Sequence, residues 1–108
     1  MTERKKPRSV LAQRLRAART ALGVSQMKLG VLAGIDEYSA SARINQYEQG
    51  VHEPAYATAE QLAGALGVPT AYLYAREDWL AEVILRAHRL SADDRKLLLA
   101  GLRARTPD

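Results

Sequence analysis

Residues 25–50 read SQMKLGVLAGIDEYSASARINQYEQG, and this stretch is the most informative feature of the chain. A short helix is predicted to begin after Ser25, a favourable N-cap, and to stop at Gly34. A further helix is predicted to follow within a few residues and to stop at Gly50. Glycine supplies the left-handed residue that helix C-termini favour. The stretch therefore predicts two short helices joined by a tight turn.

The start of the later of these two helices is left open, because three residues are suitable N-caps: Asp36, Ser39 and Ser41. Helical spacing of the apolar residues predicts which side chains in this region are buried. They are Leu29, Leu32 and Ala33 in the earlier helix, Ile35 in the turn, and Ile44 and Tyr47 in the later helix.

Helical spacing also dominates the rest of the chain, without strand alternation or internal repeats. Five further helices are predicted: Ser9 to Leu22, Tyr56 to Leu66, Thr70 to Tyr74, one around Trp79 to Ala87, and one capped by Ser91 that ends near Arg105. The chain is accordingly divided into a flexible basic arm (1–8), a helical domain (9–75) and a helical tail (76–108).

The composition excludes several classes of protein. The chain has 108 residues and no cysteine, which excludes a disulfide scaffold, a thiolate metal site and a cysteine nucleophile. The two histidines are distant in sequence and the acids are scattered, so neither a metal, a cofactor nor an enzyme site is predicted. Without an apolar run of membrane-spanning length or a signal core, a cytoplasmic location is predicted.

The positive charge is concentrated near the N-terminus. Residues 1–30 hold eight Lys or Arg and one acid, residues 31–60 hold one Arg and five acids, and residues 61–108 hold seven Lys or Arg and six acids. Such a concentrated surplus is typical of a nucleic-acid partner, but a solubilising tail has the same composition. Charge alone leaves both interpretations open.

A longer series of motifs then runs through about residues 9–75. The matching residues are Arg14-Leu15-Arg16 with Arg19, Gly23-Val24-Ser25-Gln26 with Leu29, Ala33-Gly34-Ile35, Ile44, Tyr47-Glu48-Gln49-Gly50, Pro54, Leu62-Ala63 and Ala65-Leu66-Gly67-Val68. In these motifs the chain resembles the lambda-repressor-like helix-turn-helix family, the XRE or Cro/C1-type regulators. The resemblance implies an all-α, five-helix DNA-binding bundle whose third helix enters the major groove. Residues 76–108 lie outside the resemblance, and their helical spacing predicts a two-helix C-terminal extension.

Two features depart from the family pattern. The stretch from Gly34 to Glu48 is longer than usual by about four residues, so either the turn is longer or the third helix gains a turn at its start. Gly30 stands where the family usually has alanine. Glycine permits a close approach of two helices, at some loss of helix propensity.

The resemblance implies that Gln26 lies against a DNA phosphate and reaches a base edge, where free N–H groups and the helix dipole also favour an anion. Ser41, Arg43, Asn45 and Gln46 are the predicted base readers on the third helix. Gln46 and Arg43 rank first among them, because they are three residues apart and share a face. The alternative is an ordinary polar surface.

Three further groups of residues receive roles. Arg19 and Glu48 match an ion pair with which the family ties the first helix to the end of the third. His52 is a minor candidate for a phosphate contact in the following loop. The arm is predicted to follow the DNA backbone or enter a minor groove through Arg4, Lys5, Lys6 and Arg8.

These observations predict a sequence-specific DNA-binding transcriptional regulator. It is expected to be a homodimeric repressor that binds double-stranded DNA, with no membrane or small-molecule partner. One short recognition helix reads few base pairs, so pairing is expected, and apolar residues within 79–102 are the predicted pairing surface. The alternative is a protein-interaction module on the same fold, such as an antitoxin-like partner, which the apolar tail favours.

Overall fold

The structure is a computed structural model that describes residues 9–108, and within them it contains helices and no strand. The helices are α1 (Val10–Leu22), α2 (Gln26–Leu32), α3 (Glu37–Glu48), α4 (Tyr56–Leu66), a 3₁₀ helix (Thr70–Tyr74), α5 (Asp78–His88) and α6 (Ala92–Arg105). The all-α prediction is confirmed, with a 3₁₀ helix at the fifth position. The arm residues Arg4, Lys5, Lys6 and Arg8 lie outside the described residues.

Side-chain caps begin four of the helices. Ser9, Ser25 and Ser91 accept hydrogen bonds from backbone N–H groups in the first turns of α1, α2 and α6, as predicted. The open start of α3 is decided by Asp36, whose carboxylate accepts from the N–H of Tyr38 at 3.1 Å. The additional residues therefore lengthen α3 at its start and leave the turn short.

The core lies where α1, α2, α3, α4 and the 3₁₀ helix meet. It comprises Leu11, Leu15, Leu29, Ala33, Ile35, Ala40, Ile44, Tyr47, Ala59, Leu62, Ala63, Leu66, Tyr72, Leu73, Ala75 and Ala81. The predicted burial of Leu32 was wrong, because it is 50% exposed. The buried stripe of the seven-residue α2 is centred on Leu29, Gly30 and Ala33, and Leu32 lies on its flank.

Helices α2 and α3 pack through a contact that requires glycine. A Cβ atom added to Gly30 would lie 2.6 Å from the Cβ of Ala40 and 3.0 Å from its Cα. Both residues are buried. The departure at Gly30 thus coincides with a close approach of α2 and α3.

A single arginine of α1 holds the junction between the 3₁₀ helix and α5. The guanidinium of Arg14 donates to the carbonyl oxygens of Ala75 and Arg76, at 2.9 Å and 3.0 Å. It also forms an ion pair with Asp78 at 3.0 Å and lies over the ring of Tyr72. The start of α5 is therefore tied to α1, and Ala81 completes its packing against the core.

Candidate nucleic-acid interface

One buried carboxylate near the end of α3 is bonded to α1. Glu48 is 2% exposed and accepts two hydrogen bonds from Arg19 of α1, from Nε at 2.5 Å and from Nη2 at 3.0 Å. The remaining side-chain nitrogen of Arg19, Nη1, donates to the carbonyl oxygen of Val24 at 3.0 Å. This geometry joins α1, the turn before α2, and the end of α3.

The charge of Arg19 is preserved in this partly buried position. The hydrogen bond to Glu48 raises the pKa of the guanidinium above its ordinary value and outweighs the opposite effect of burial. The guanidinium of Arg19 therefore keeps its positive charge next to the side chain of Glu48.

Gln26, the first residue of α2, is bonded to α3 as well. Its Nε2 donates to Oε1 of Glu48 and to Oδ1 of Asn45, both at 3.2 Å. The carboxylate of Glu48 can only accept hydrogen bonds, so the amide nitrogen of Gln26 must face it. Glu48 thereby determines which end of the Gln26 amide points toward α3.

The outer surface of α3 carries several of the predicted base readers, but not in one cluster. Asn45 and Gln46 are exposed on adjacent positions, and Asn45 is bonded to Gln26. Ser41 and Arg43 are also exposed, yet they lie about 160° apart around the helix axis. These two residues flank the buried side of α3 on opposite edges.

The side chain of Arg43 lies along α3 and contacts Tyr47 of the same helix. Its Nη2 donates to the hydroxyl of Tyr47 at 2.9 Å, and its guanidinium lies 5.9 Å from the centre of that ring. The spacing of four residues, which brings side chains together on a helix, is visible in the sequence. To reach a base edge, Arg43 would have to leave this contact.

The other exposed residues near α3 lie in the loop that follows it and in its first turn. His52 is exposed in the loop after Gly50, beyond the end of α3. Tyr38 on the added first turn of α3 is 97% exposed, and the sequence did not single it out as a candidate site residue. Asp36 and Glu37 are exposed acids at the same end, so this end of α3 would repel a phosphate.

Neither of two other kinds of site is present within residues 9–108. No group of His, Asp or Glu there is arranged to hold a metal ion. Likewise, none of the helices in this described range combines the length and apolarity needed to cross a membrane.

Comparison with known proteins identified a matching family and similar solved structures. The profile of a helix-turn-helix domain family matches residues 10–73. The chain is similar to the crystal structure of the transcriptional regulator BswR, with 50% sequence identity and a TM-score of 0.81. The alignment covers 86% of this chain and 92% of that chain. No curated protein matched.

Proposed function

Because the chain belongs to the helix-turn-helix domain family, we propose that it is a sequence-specific DNA-binding transcriptional regulator. It acts as a dimeric repressor, and α3 of each copy reads the major groove. The similarity to a solved transcriptional regulator along most of both chains supports this assignment.

The observation that carries the proposal is the hydrogen-bonded series Arg19–Glu48–Gln26–Asn45, which ends at the outer surface of α3. Both Nε2 hydrogens of Gln26 are engaged in it, which leaves Oε1 as an acceptor. Since Asn45 accepts through Oδ1, its amide nitrogen is left as a donor. A neighbouring donor and acceptor complement the N7 and N6 groups of adenine in the major groove.

The phosphate contact at the start of α2 is then made by backbone N–H groups of this helix. The N–H of Lys28 is already bonded to Ser25, and the first-turn N–H groups of Gln26 and Met27 precede it. Such groups, at the positive end of the helix dipole, bind anions. In this arrangement Gln26 contributes a base contact through its side chain and a phosphate contact through its backbone.

Replacement of Gln46 by alanine is expected to weaken binding to the selected operator by about 1–3 kcal/mol, with little change on random DNA, because a base reader carries sequence information. The operator is first obtained by selecting bound DNA from a random pool, and affinities are then measured by fluorescence anisotropy.

The matched control for this experiment is Gln61→Ala, which removes the same side chain from an exposed position of α4. It is expected to leave both affinities unchanged. Equal losses for Gln46→Ala on operator and random DNA would show that Gln46 contacts the DNA phosphate backbone instead of a base. A pool that yields no enriched sequence would refute sequence-specific binding.

Deletion of residues 1–8 is expected to flatten the salt dependence of DNA binding while site preference is retained. The arm carries Arg4, Lys5, Lys6 and Arg8 and only one acid. Each phosphate that a cation neutralises contributes about 0.9 to the slope of log K against log salt. Affinities measured over a salt series for both chains check this, and an unchanged slope would show that the arm does not touch DNA.

A further inference from the structure

Helix α6 carries a group of leucines that the described part of the chain does not bury. None of its 14 residues is buried within the described part of the chain, and Leu102 is 46% exposed. Arg95 of α6 donates a hydrogen bond to the carbonyl oxygen of His88 in α5, and an open groove between the two helices is lined by Leu98 and Leu99. An exposed apolar surface of this kind marks an interaction site.

The dimensions of the molecule agree with this description. The radius of gyration is 16.2 Å, whereas a compact domain of this length has about 13 Å. The extents are 50 × 37 × 23 Å. The chain is therefore more elongated than its own core requires.

One face of α6 combines leucines with opposite charges at its two ends. We call it the α6 stripe; it consists of Asp94, Leu98, Leu102 and Arg105. With about 100° of rotation per residue, these four side chains fall within an arc of about 80°. The stripe thus has an acid in the first turn, two leucines in the middle and a base in the last turn.

We propose that the α6 stripe pairs antiparallel with the α6 stripe of a second copy of this chain. Two-fold symmetry then places Asp94 of each copy opposite Arg105 of the other and brings the four leucines together between the two ion pairs. A parallel arrangement would place like charges opposite each other, which is unfavourable. The charge pattern therefore identifies both the partner, a second copy, and its direction.

This pairing rests on the proposed function, since it specifies the surface through which the proposed dimer forms. Leu98 and Leu99 lie at the edge that faces α5, so the second α6 would also cover the groove between α5 and α6. The burial of leucine side chains supplies the affinity, and the terminal ion pairs select the antiparallel register.

Charge reversal tests the inference without DNA. Asp94→Arg and Arg105→Asp are each expected to weaken self-association at least tenfold in sedimentation equilibrium, because each homodimer then contains two like-charge contacts. An equimolar mixture of the two variants is expected to recover a dimer of native affinity, since every contact in the heterodimer is again between opposite charges.

The chain offers matched controls on the same helix. Asp93→Arg and Arg103→Asp carry the same charge changes in the same turns, but lie about 100° or more from the stripe residues they match. They are expected to self-associate like the native chain. Equal weakening by the controls, or no recovery in the mixture, would overturn the inference. A native chain that remains monomeric at all concentrations would do the same and would indicate a different protein as the occupant.

The direction of pairing is tested by cross-linking, which is simple because the native chain has no cysteine. The double variant Asp94→Cys/Arg105→Cys is expected to oxidise to a covalent dimer, whereas either single variant is not. Covalent dimers from the single variants would indicate parallel pairing and refute the proposal. A confirmed antiparallel dimer that enriches no DNA sequence would instead refute the proposed function and leave the pairing intact.

Discussion

Replacement of Glu48 by alanine is expected to lower the free energy of unfolding by about 3 kcal/mol and to weaken operator binding, although Glu48 is too deeply buried to touch DNA. The substitution leaves the partly buried guanidinium of Arg19 without its countercharge. It also removes an acceptor of the Gln26 amide, so the orientation of Gln26 is no longer determined. Chemical denaturation and operator binding measure the two effects.

A second variant separates stability from positioning. In Arg19→Met/Glu48→Leu both charges are replaced by apolar side chains of similar volume, which is often neutral or stabilising for a buried pair. This double variant is expected to recover most of the lost stability. It should not recover operator affinity, because the Gln26 amide still lacks its carboxylate partner. Native affinity in the stable double variant would show that the pair does not position α3.

The elements of the fold that could be predicted from the sequence are those whose signals are local. Ser9, Ser25 and Ser91 cap helices where the sequence places them, and Ile44 and Tyr47 are buried as their spacing indicates. The start of α3 was not predictable, because Asp36, Ser39 and Ser41 are equally suitable caps by local chemistry. In the structure Asp36 is the cap, and the longer α3 packs Ala40 against Gly30, which is a tertiary contact.

The candidate site likewise contains contacts that the sequence indicates and contacts that it does not. The Arg19–Glu48 pair expected from the resemblance is present in the structure. The bonds from Gln26 to Asn45 and Glu48 join residues about 20 positions apart, so no periodicity indicates them. The contact between Arg43 and Tyr47 was within reach of sequence reasoning, since the two residues are four apart on a helix. Its consequence is that Arg43 would have to leave Tyr47 before it could reach a base edge.

Replacement of Gly30 by alanine is expected to destabilise the fold by about 3 kcal/mol, near the upper end of the range for overpacking. The new Cβ would lie 2.6 Å from the Cβ of Ala40, 3.0 Å from its Cα and 3.1 Å from its carbonyl oxygen. Two of these atoms belong to the backbone, so α2 and α3 must move apart to relieve the contact. The shift in denaturation midpoint measures the loss.

Gly64→Ala is the matched control, because Gly64 is also in a helix and a Cβ added there meets nothing within 4 Å. It is expected to stabilise the chain by about 0.5–1 kcal/mol, the usual gain of alanine over glycine in a helix.

Adding Ala40→Gly to Gly30→Ala removes the shortest contact, so the double variant should lose less stability than the sum of the two single variants. If the two losses simply add, α2 and α3 are not in tight contact at Gly30. Operator binding should fall in parallel with stability in Gly30→Ala, because α3 can present Asn45 and Gln46 together with Gln26 only while it remains packed against α2.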